Sequence, residues 1–545
     1  MSVYLAWARK IREGDWLSRS DVKPYHSWQQ YIARTVHDFS RPAEPFDEQV
    51  GRRMWSHWLG EENFYEDPFY PYFLAGVGAL FHEEVGVVYL IQALLGIASV
   101  ALVMCLAQLL FDSTVALLAG LLAALFGPLV FYEALLLRSV FNTFTGLLTV
   151  ILATLALEAP PRRRLCFWLG VVCGLSFLVQ STAFVFTVAV LVMLAVRFRR
   201  DRRAVWSALW PLVLGFLIAV APLIARNVAV GARPFGPAAI GPISFINQNA
   251  VDAEPAAGGL LSRYAADIMN RTDGHFWPAV VETLKTHPGP GSWLYLWARK
   301  LVAFWRWYEI PNNANYYYYC LYARAVCAAG FTFKSIGPLA AVGLLLALRR
   351  GWVGVPALVY VATGMATSML FLTLSRLRLP YACALIPFAA FTVVSFVRFL
   401  QTRRFIPAAA VLAGVVLAAM VLWKPLPPTR SAIWPADYGV GNEIVLRLAQ
   451  QKAAADDIAG AIRLVEGQLK TEPDTLRLLE PTTNTAKIPL LDAEICGSFA
   501  PLHQLAAQLY AARQDRQRAA EQARRAQILR MVDAQWKASQ RRPAP

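Results

Sequence analysis

Ten apolar stretches separated by short polar breaks constrain this chain more than anything else in it. They lie near residues 86–110, 114–127, 130–157, 165–180, 182–198, 205–225, 333–348, 353–374, 381–397 and 405–423. A straight membrane-crossing helix needs roughly 20 apolar residues, so several stretches are short for the task. Pro128 and Pro211 are expected to break or kink two of them. The chain is 57% hydrophobic and 16% charged, with a mean hydropathy of +0.41. Soluble domains are not composed this way. The expected class is all-α, a polytopic membrane protein of about ten spans.

The net charge of +16 suggests nucleic acid until the arginines are located. They cluster in short breaks: Arg162 to Arg164, Arg197 to Arg203, Arg349 with Arg350, and Arg398 to Arg404. Basic loops of this kind mark the cytoplasmic side of a membrane protein, so the charge reports topology and nucleic acid is excluded as a partner. Placing every cluster in the cytoplasm sends residues 1–85, 226–332, 375–380 and the tail after 424 to the other side, which is periplasmic in a Gram-negative bacterial inner membrane. An outward segment at 1–85 has no preceding span to carry it across. Either a span precedes Met1 or the topology is inverted.

The expected domains are a first outer loop (1–85), spans (86–225), a second outer loop (226–332), spans (333–423), a linker with four prolines (424–436) and a helical tail (437–545). In the tail, Leu446 to Ala449, Ile458, Ala461, Ile462 and Leu469 read as one helix–turn–helix pair. Leu505, Ala506, Leu509 and Tyr510, followed by 519–529, read as a second. The pattern is of the tetratricopeptide kind, and a plain amphipathic helical tail is the alternative. Cys320, Cys327 and Cys496 fall outside the spans, where a disulfide is allowed. The seven histidines show no ligand spacing. No cofactor and no structural metal are expected, with a divalent ion near the carboxylates left open.

Residues 64–73, Phe-Tyr-Glu-Asp-Pro-Phe-Tyr-Pro-Tyr-Phe, place Glu66 and Asp67 side by side ahead of Pro68 and among aromatic rings. Adjacent acids at a membrane surface suit the handling of a proton or a cation; capping of a helix that begins at Pro68 is the alternative. Glu133 and Arg138 lie five apart within an apolar run, where ionisable residues are functional candidates by default. A structural ion pair between them is equally compatible with the spacing. Arg376 and Arg378 occupy a short loop expected outside, where basic residues are scarce.

The chain resembles the family 39 glycosyltransferases, the dolichyl-phosphate-mannose protein mannosyltransferase-like group of the GT-C superfamily. The lipid A aminoarabinose transferase is a cousin. The matching pieces are Tyr4 to Ile11, Gly14-Asp15-Trp16-Leu17, Glu66 to Tyr72, Leu80-Phe81, Ala93 to Gly96, Gly127-Pro128 to Glu133, Leu137-Arg138, Ala225-Arg226-Asn227, Asn247-Gln248-Asn249 and Arg376 to Pro380. They cover about residues 1–400 in the family's order. The resemblance implies an enzyme that moves a sugar from a polyprenyl-phosphate donor to an acceptor (protein, lipid or glycan) on the outer face, with inversion.

An acceptor hydroxyl needs a carboxylate to take its proton, the role the resemblance gives to Glu66 or Asp67; both assignments stay open. A leaving lipid phosphate needs arginine, and Arg376 and Arg378 are the candidates. Glu133, Arg138, Arg226, Asn227, Asn247, Asn249, Glu309 and Asn312 are candidate substrate contacts, with loop-turn formation the alternative for Asn227, Asn247 and Asn249. The family's principal aspartate would fall just upstream of Met1. Asp15 does not replace it, since its run has its own counterpart. Residues 18–60, with Pro24-Tyr25-His26 and Trp28, read as a surface platform. The tail would bind a protein partner. The alternatives are a lipid-linked sugar flippase or other transporter, and a non-catalytic membrane scaffold.

Overall fold

The computed structural model describes residues 2–19, 49, 58, 62–82, 84–157, 160–253, 255, 262–312, 314–320, 323, 330–348, 351–424, 435–477, 479–480 and 490–540. The platform residues Pro24 to His26 and Trp28, and Cys327, lie outside this set, as does most of the 424–436 linker.

The protein is all-helical, with no β-strand among the described residues and one isolated bridge between Phe126 and Phe331. In chain order the helices of the first unit are α1 (Ser2–Arg12), α2 (Phe69–Leu80), α3 (Val85–Leu110), α4 (Ser113–Ala124), α5 (Gly127–Glu133), α6 (Ser139–Ala156), α7 (Arg163–Val179), α8 (Phe184–Phe198) and α9 (Arg202–Val230). Four follow in the loop: α10 (Gly241–Asn249), α11 (Ala265–Thr272), α12 (Phe276–Lys285) and α13 (Pro290–Trp305). After α14 (Tyr316–Cys320) come α15 (Phe333–Ala347), α16 (Val355–Leu370), α17 (Ser375–Gln401) and α18 (Phe405–Leu422). Seven helical segments, Val85–Leu110, Ser139–Ala156, Ser181–Phe198, Arg202–Val230, Gly351–Leu370, Ser375–Gln401 and Phe405–Leu422, are long and apolar enough to cross a membrane. Three more apolar helices, α2, α4 and α15, are shorter. The chain is an integral membrane protein.

The two prolines take different places, and one expected span is divided in two. Pro128 sits in the first turn of α5 and so opens a helix, where its missing N–H is harmless. Pro211 lies inside the uninterrupted 29-residue α9. The expected single segment 130–157 is two helices, because α5 ends at Glu133 and α6 begins only at Ser139.

A small-residue seam sets one close approach. A Cβ at Gly170 on α7 would fall on the carbonyl oxygen of Leu212 on α9, and one at Gly215 would fall on that of Phe167. Further along α7, Gly174 meets Phe216 and Ala219 further along α9, so the two helices touch backbone to backbone and run in the same direction. Contacts also show that the Arg197 end of α8 and the Glu66–Asp67 loop lie at opposite ends of α6 and α8. Arg197, in the last turn of α8, donates through Nε to the Leu157 carbonyl just beyond α6 (3.1 Å). At the other ends of these helices, Arg138 and Ser181 meet Asp67.

A second compact unit comprises residues 314–324 and 427–545. Its helices are α14, α19 (Pro435–Ala454), α20 (Ile458–Leu469), α21 (Asp474–Arg477), α22 (Leu490–Ala512) and α23 (Arg516–Gln540). They enclose a core of Tyr318, Tyr438, Ile462, Val465, Phe499, Leu502 and Leu529. Buried polar groups in it are paired: the Gln468 amide donates to Asn442 Oδ1 (2.6 Å) and that of Asn442 to Ser498 Oγ (3.0 Å). Cys320 is disulfide-bonded, whereas Cys496 is a buried free thiol.

Replacing Gly170 by leucine forces α7 away from α9, and overpacking of this kind costs about 1–3 kcal/mol. Thermal melting of the purified protein in detergent checks this; a Gly170→Leu protein melting with the wild type contradicts the seam.

Candidate active site

The loop 62–68 that carries Glu66 and Asp67 is held from two sides. The main-chain N–H groups of Ala239 and Ile240 donate to the carbonyls of Phe64 (2.7 Å) and Tyr65 (3.3 Å). Beneath them Tyr65, Trp58, Ile243, Ile246, Ile268 and Met269 form a small core with α10, α11 and α12. From α9, Arg226 donates to the carbonyls of Leu17 (2.8 Å), Ser18 (3.1 Å) and Glu62 (2.7 Å) and lies 3.9 Å over the Phe64 ring.

Asp67 is buried and Glu66 is the more open of the two, their side chains being 4% and 25% exposed. The Arg138 guanidinium lies 2.8 Å from Asp67 Oδ2 and 3.8 Å from Glu66 Oε2. Asp67 Oδ1 also accepts from the main-chain N–H of Ser181 (3.3 Å). The Tyr4 hydroxyl on α1 donates to Glu66 Oε2. Neither acid caps the helix that follows it: α2 begins after Pro68 without a side-chain cap, which removes that alternative. Arg376, in the first turn of α17, is half-buried, and its Nε is buried with no hydrogen-bond partner. Its positive charge bears on both Glu66 and Tyr4.

This surround drives the two carboxyls apart. Burial alone raises the Glu66 carboxyl, but Arg138, Arg376 and the Tyr4 hydroxyl outweigh it and hold the group below the usual glutamate range. Burial raises Asp67 above its usual range, with Arg138 and Ser181 pulling against it. Burial and the neighbouring Glu66 charge also raise the Tyr4 hydroxyl, so it remains a hydrogen-bond donor. Glu66 is thus an anion with an open edge, while the charge of Asp67 depends on Arg138.

Arg138 reaches this loop because the chain is not helical between α5 and α6. A break among apolar helices frees carbonyls that must be satisfied within the protein. The Gln92 amide on α3 donates to two of them, Glu133 O and Leu135 O, both at 2.8 Å, and its own oxygen accepts from the Tyr70 hydroxyl (2.7 Å). Gln92, Tyr4 and Ser181 did not emerge from the sequence as site residues. Tyr4 lies in a matched run, but nothing local tells a donor to Glu66 from an ordinary amphipathic-helix tyrosine.

The structure gathers Glu66, Asp67, Arg138 and Arg376, and separates the other candidates from them. Glu133 and Arg138 form no ion pair, since Arg138 turns to Asp67 and the Glu133 carboxylate packs against Gly96 on α3. Arg378 is corrected from a phosphate ligand to a buried structural cation. It donates to the carbonyls of Phe304, Arg306 and Tyr308 (2.9, 2.7 and 3.1 Å) and to Glu309 Oε2 (2.9 Å). Glu309 is thereby occupied as well, its other oxygen accepting from Phe333 N (3.2 Å). The expected 375–380 loop is the opening of α17.

Arg226 holds backbone rather than a sugar, and the Asn227 amide is bonded to the carbonyls of Arg233, Pro234 and Gly236. Asn249 is buried, donates to Phe245 O and Leu370 O, and accepts from Trp297 and Lys300. Asn247 accepts from Ser262 N (3.1 Å) and Asn312 is exposed. No group of three or more metal-ligating side chains occurs among the described residues.

Residues 66–225 match the family described as dolichyl-phosphate-mannose-protein mannosyltransferase. The resemblance read from the motifs holds over those residues. The match opens at Glu66 and takes in Asp67, Arg138 and Ser181. Among curated proteins, none matches the chain. Solved structures with similarity include the oligosaccharyltransferase of Archaeoglobus fulgidus in its apo form, at 14% identity and a TM-score of 0.38 over 81% of this chain. They also include the archaeal oligosaccharyltransferase AglB from Archaeoglobus fulgidus in complex with an inhibitory peptide and a dolichol-phosphate, at 14% identity and a TM-score of 0.36 over 81% of this chain. The chain spans 58% and 57% of those two chains.

Removing Arg138 strands a buried Asp67. Arg138→Met is expected to lower stability by about 3–5 kcal/mol, and adding Asp67→Asn to restore most of it, as read by thermal melting. No rescue in the double variant contradicts the pairing.

Proposed function

We propose that this protein is an integral-membrane glycosyltransferase that moves a hexosyl group from a polyprenyl-phosphate donor to an acceptor hydroxyl. The observation that carries this reading is the open, anionic Glu66, within the segment that matches the mannosyltransferase family, flanked by Asp67–Arg138 and by Arg376, whose buried Nε has no hydrogen-bond partner. The site lies at the helix ends opposite Arg197. With the arginine clusters cytoplasmic, it faces the periplasmic side of a bacterial inner membrane.

Chemistry follows from the charges. The acceptor oxygen attacks the anomeric carbon while the bond from that carbon to the phosphate oxygen breaks. The acceptor's proton passes to Glu66, and the carboxylate also favours the positive charge that develops on the sugar ring. Arg376 meets the lipid phosphate as it leaves with its extra negative charge. Asp67 and Arg138 fix the loop and set the field at Glu66. One displacement without a covalent intermediate inverts the anomeric configuration. The helical tail, 437–545, is assigned partner recognition, so its deletion leaves transfer chemistry in place.

In proteoliposomes holding polyprenyl-phosphate sugar and acceptor, Glu66→Gln is expected to lower turnover by about 10²–10⁴-fold, with Glu66→Gln/Asp67→Asn no more active. Undiminished transfer by the double variant sinks the proposal. Release of free polyprenyl phosphate separates transfer from transport, because a flippase leaves the donor bond intact.

The pH profile carries a second expectation. Glu66 acts deprotonated and its carboxyl lies below the ordinary 4.5, so the acid limb of activity is centred below pH 4.5. An acid limb centred above pH 5 or so, beyond the ordinary carboxylate range, contradicts Glu66 as the base.

A further inference from the structure

The two backbone-touching helices α7 and α9 both begin at the arginine-rich end, and a cleft opens between their first turns. Arg163, Arg202, Arg203, Trp206, Trp210 and Pro211 line it, around a volume of about 500 Å³. Arg163 is the first residue of α7, and Arg202 and Arg203 are the first two of α9. None of these guanidinium groups has an acidic partner among the described residues. The nearest acid in sequence, Asp201, is turned to the Arg203 main-chain N–H (2.8 Å).

This arrangement is electrostatically uncompensated. Parallel helices bring their positive ends together, and cations placed in the first turns add to that charge. A bound anion relieves both effects. Pro211 has no N–H, so the carbonyl of Ser207, which also lines the cleft, is left without its helical donor.

The tryptophans identify the kind of anion. Trp206 and Trp210 are one turn apart on α9 and 69% and 58% exposed, at the start of a helix with span-like hydropathy. Indole rings at that depth sit where headgroup meets acyl chain. A free phosphate has no use for them.

We infer that the cleft between the first turns of α7 and α9 is a binding site for an anionic phospholipid headgroup. Arg163, Arg202 and Arg203 hold the phosphate, and Trp206 and Trp210 pack on the glycerol and upper acyl chain. The site lies at the far ends of the helices from Glu66 and does not depend on the transferase reading.

The test is native mass spectrometry of the full-length protein from detergent, titrated with phosphatidylglycerol and separately with phosphatidylcholine. Wild type is expected to prefer phosphatidylglycerol, and Arg163→Gln/Arg202→Gln/Arg203→Gln to weaken that binding at least about tenfold, given roughly 1 kcal/mol for each interfacial arginine. Arg403→Gln/Arg404→Gln, which removes charge from another loop of the same side, is expected to stay within about twofold of wild type. Trp206→Ala/Trp210→Ala keeps every charge and is expected to lower binding severalfold, which holds the test open if the arginine variant fails to fold. Equal loss in the Arg403/Arg404 control, equal binding of phosphatidylcholine, or displacement of the lipid by millimolar inorganic phosphate would each overturn the assignment.

Discussion

The contact of Arg138 with Asp67 at 2.8 Å is the interaction on which the candidate site depends. It joins a turn between two apolar helices to a loop some seventy residues earlier, and it exists only because the chain leaves the helix from Ala134 to Arg138. That departure is stabilised in turn by Gln92, whose amide answers the Glu133 and Leu135 carbonyls. Arg226 secures the loop from the other side through Leu17, Ser18 and Glu62. With both acids held, Glu66 is left facing outward between two positive charges, Arg138 and Arg376, and beside one hydroxyl, that of Tyr4.

The same geometry separates cations that hold structure from cations with capacity to bind. Arg378 and Glu309 neutralise each other in the interior, and removing either partner would leave a buried charge, a far larger penalty than the pair's net worth. Arg376, two residues earlier and on a different face of α17, keeps a buried Nε with no partner. Spacing alone could not tell the two arginines apart, because the difference lies in what meets each of them: three carbonyls and a carboxylate for Arg378, and the Glu66 side of the site for Arg376.

Much of the fold was legible. Long apolar runs punctuated by arginine clusters predicted an all-helical membrane protein, and the Arg197 end of α8 does lie away from Glu66. The break between α5 and α6 was hidden because Ala134-Leu135-Leu136-Leu137 reads as continuing span; only tertiary pairing through Gln92 makes a turn tolerable there. Arg226, Asn227 and Asn249 looked like sugar contacts because polar residues at a helix end and in a loop have the right chemistry for that. In the structure they answer main-chain groups that the loop's own irregularity leaves open. Glu66, Asp67, Arg138 and Arg376 were each visible as charged residues in unlikely surroundings. Their convergence, and the hydroxyl from Tyr4, required the fold.

Phosphorus NMR of a polyprenyl-phosphate sugar mixed with purified protein and acceptor tests the central claim most directly, because the donor's phosphodiester and the released phosphomonoester give separate signals. Wild type should convert one to the other. Glu66→Gln should perturb the diester signal by binding it yet leave it uncleaved, and Arg376→Met should lose the perturbation. Conversion by Glu66→Gln at the wild-type rate, or donor binding that ignores Arg376, would contradict a transfer site built from these charges.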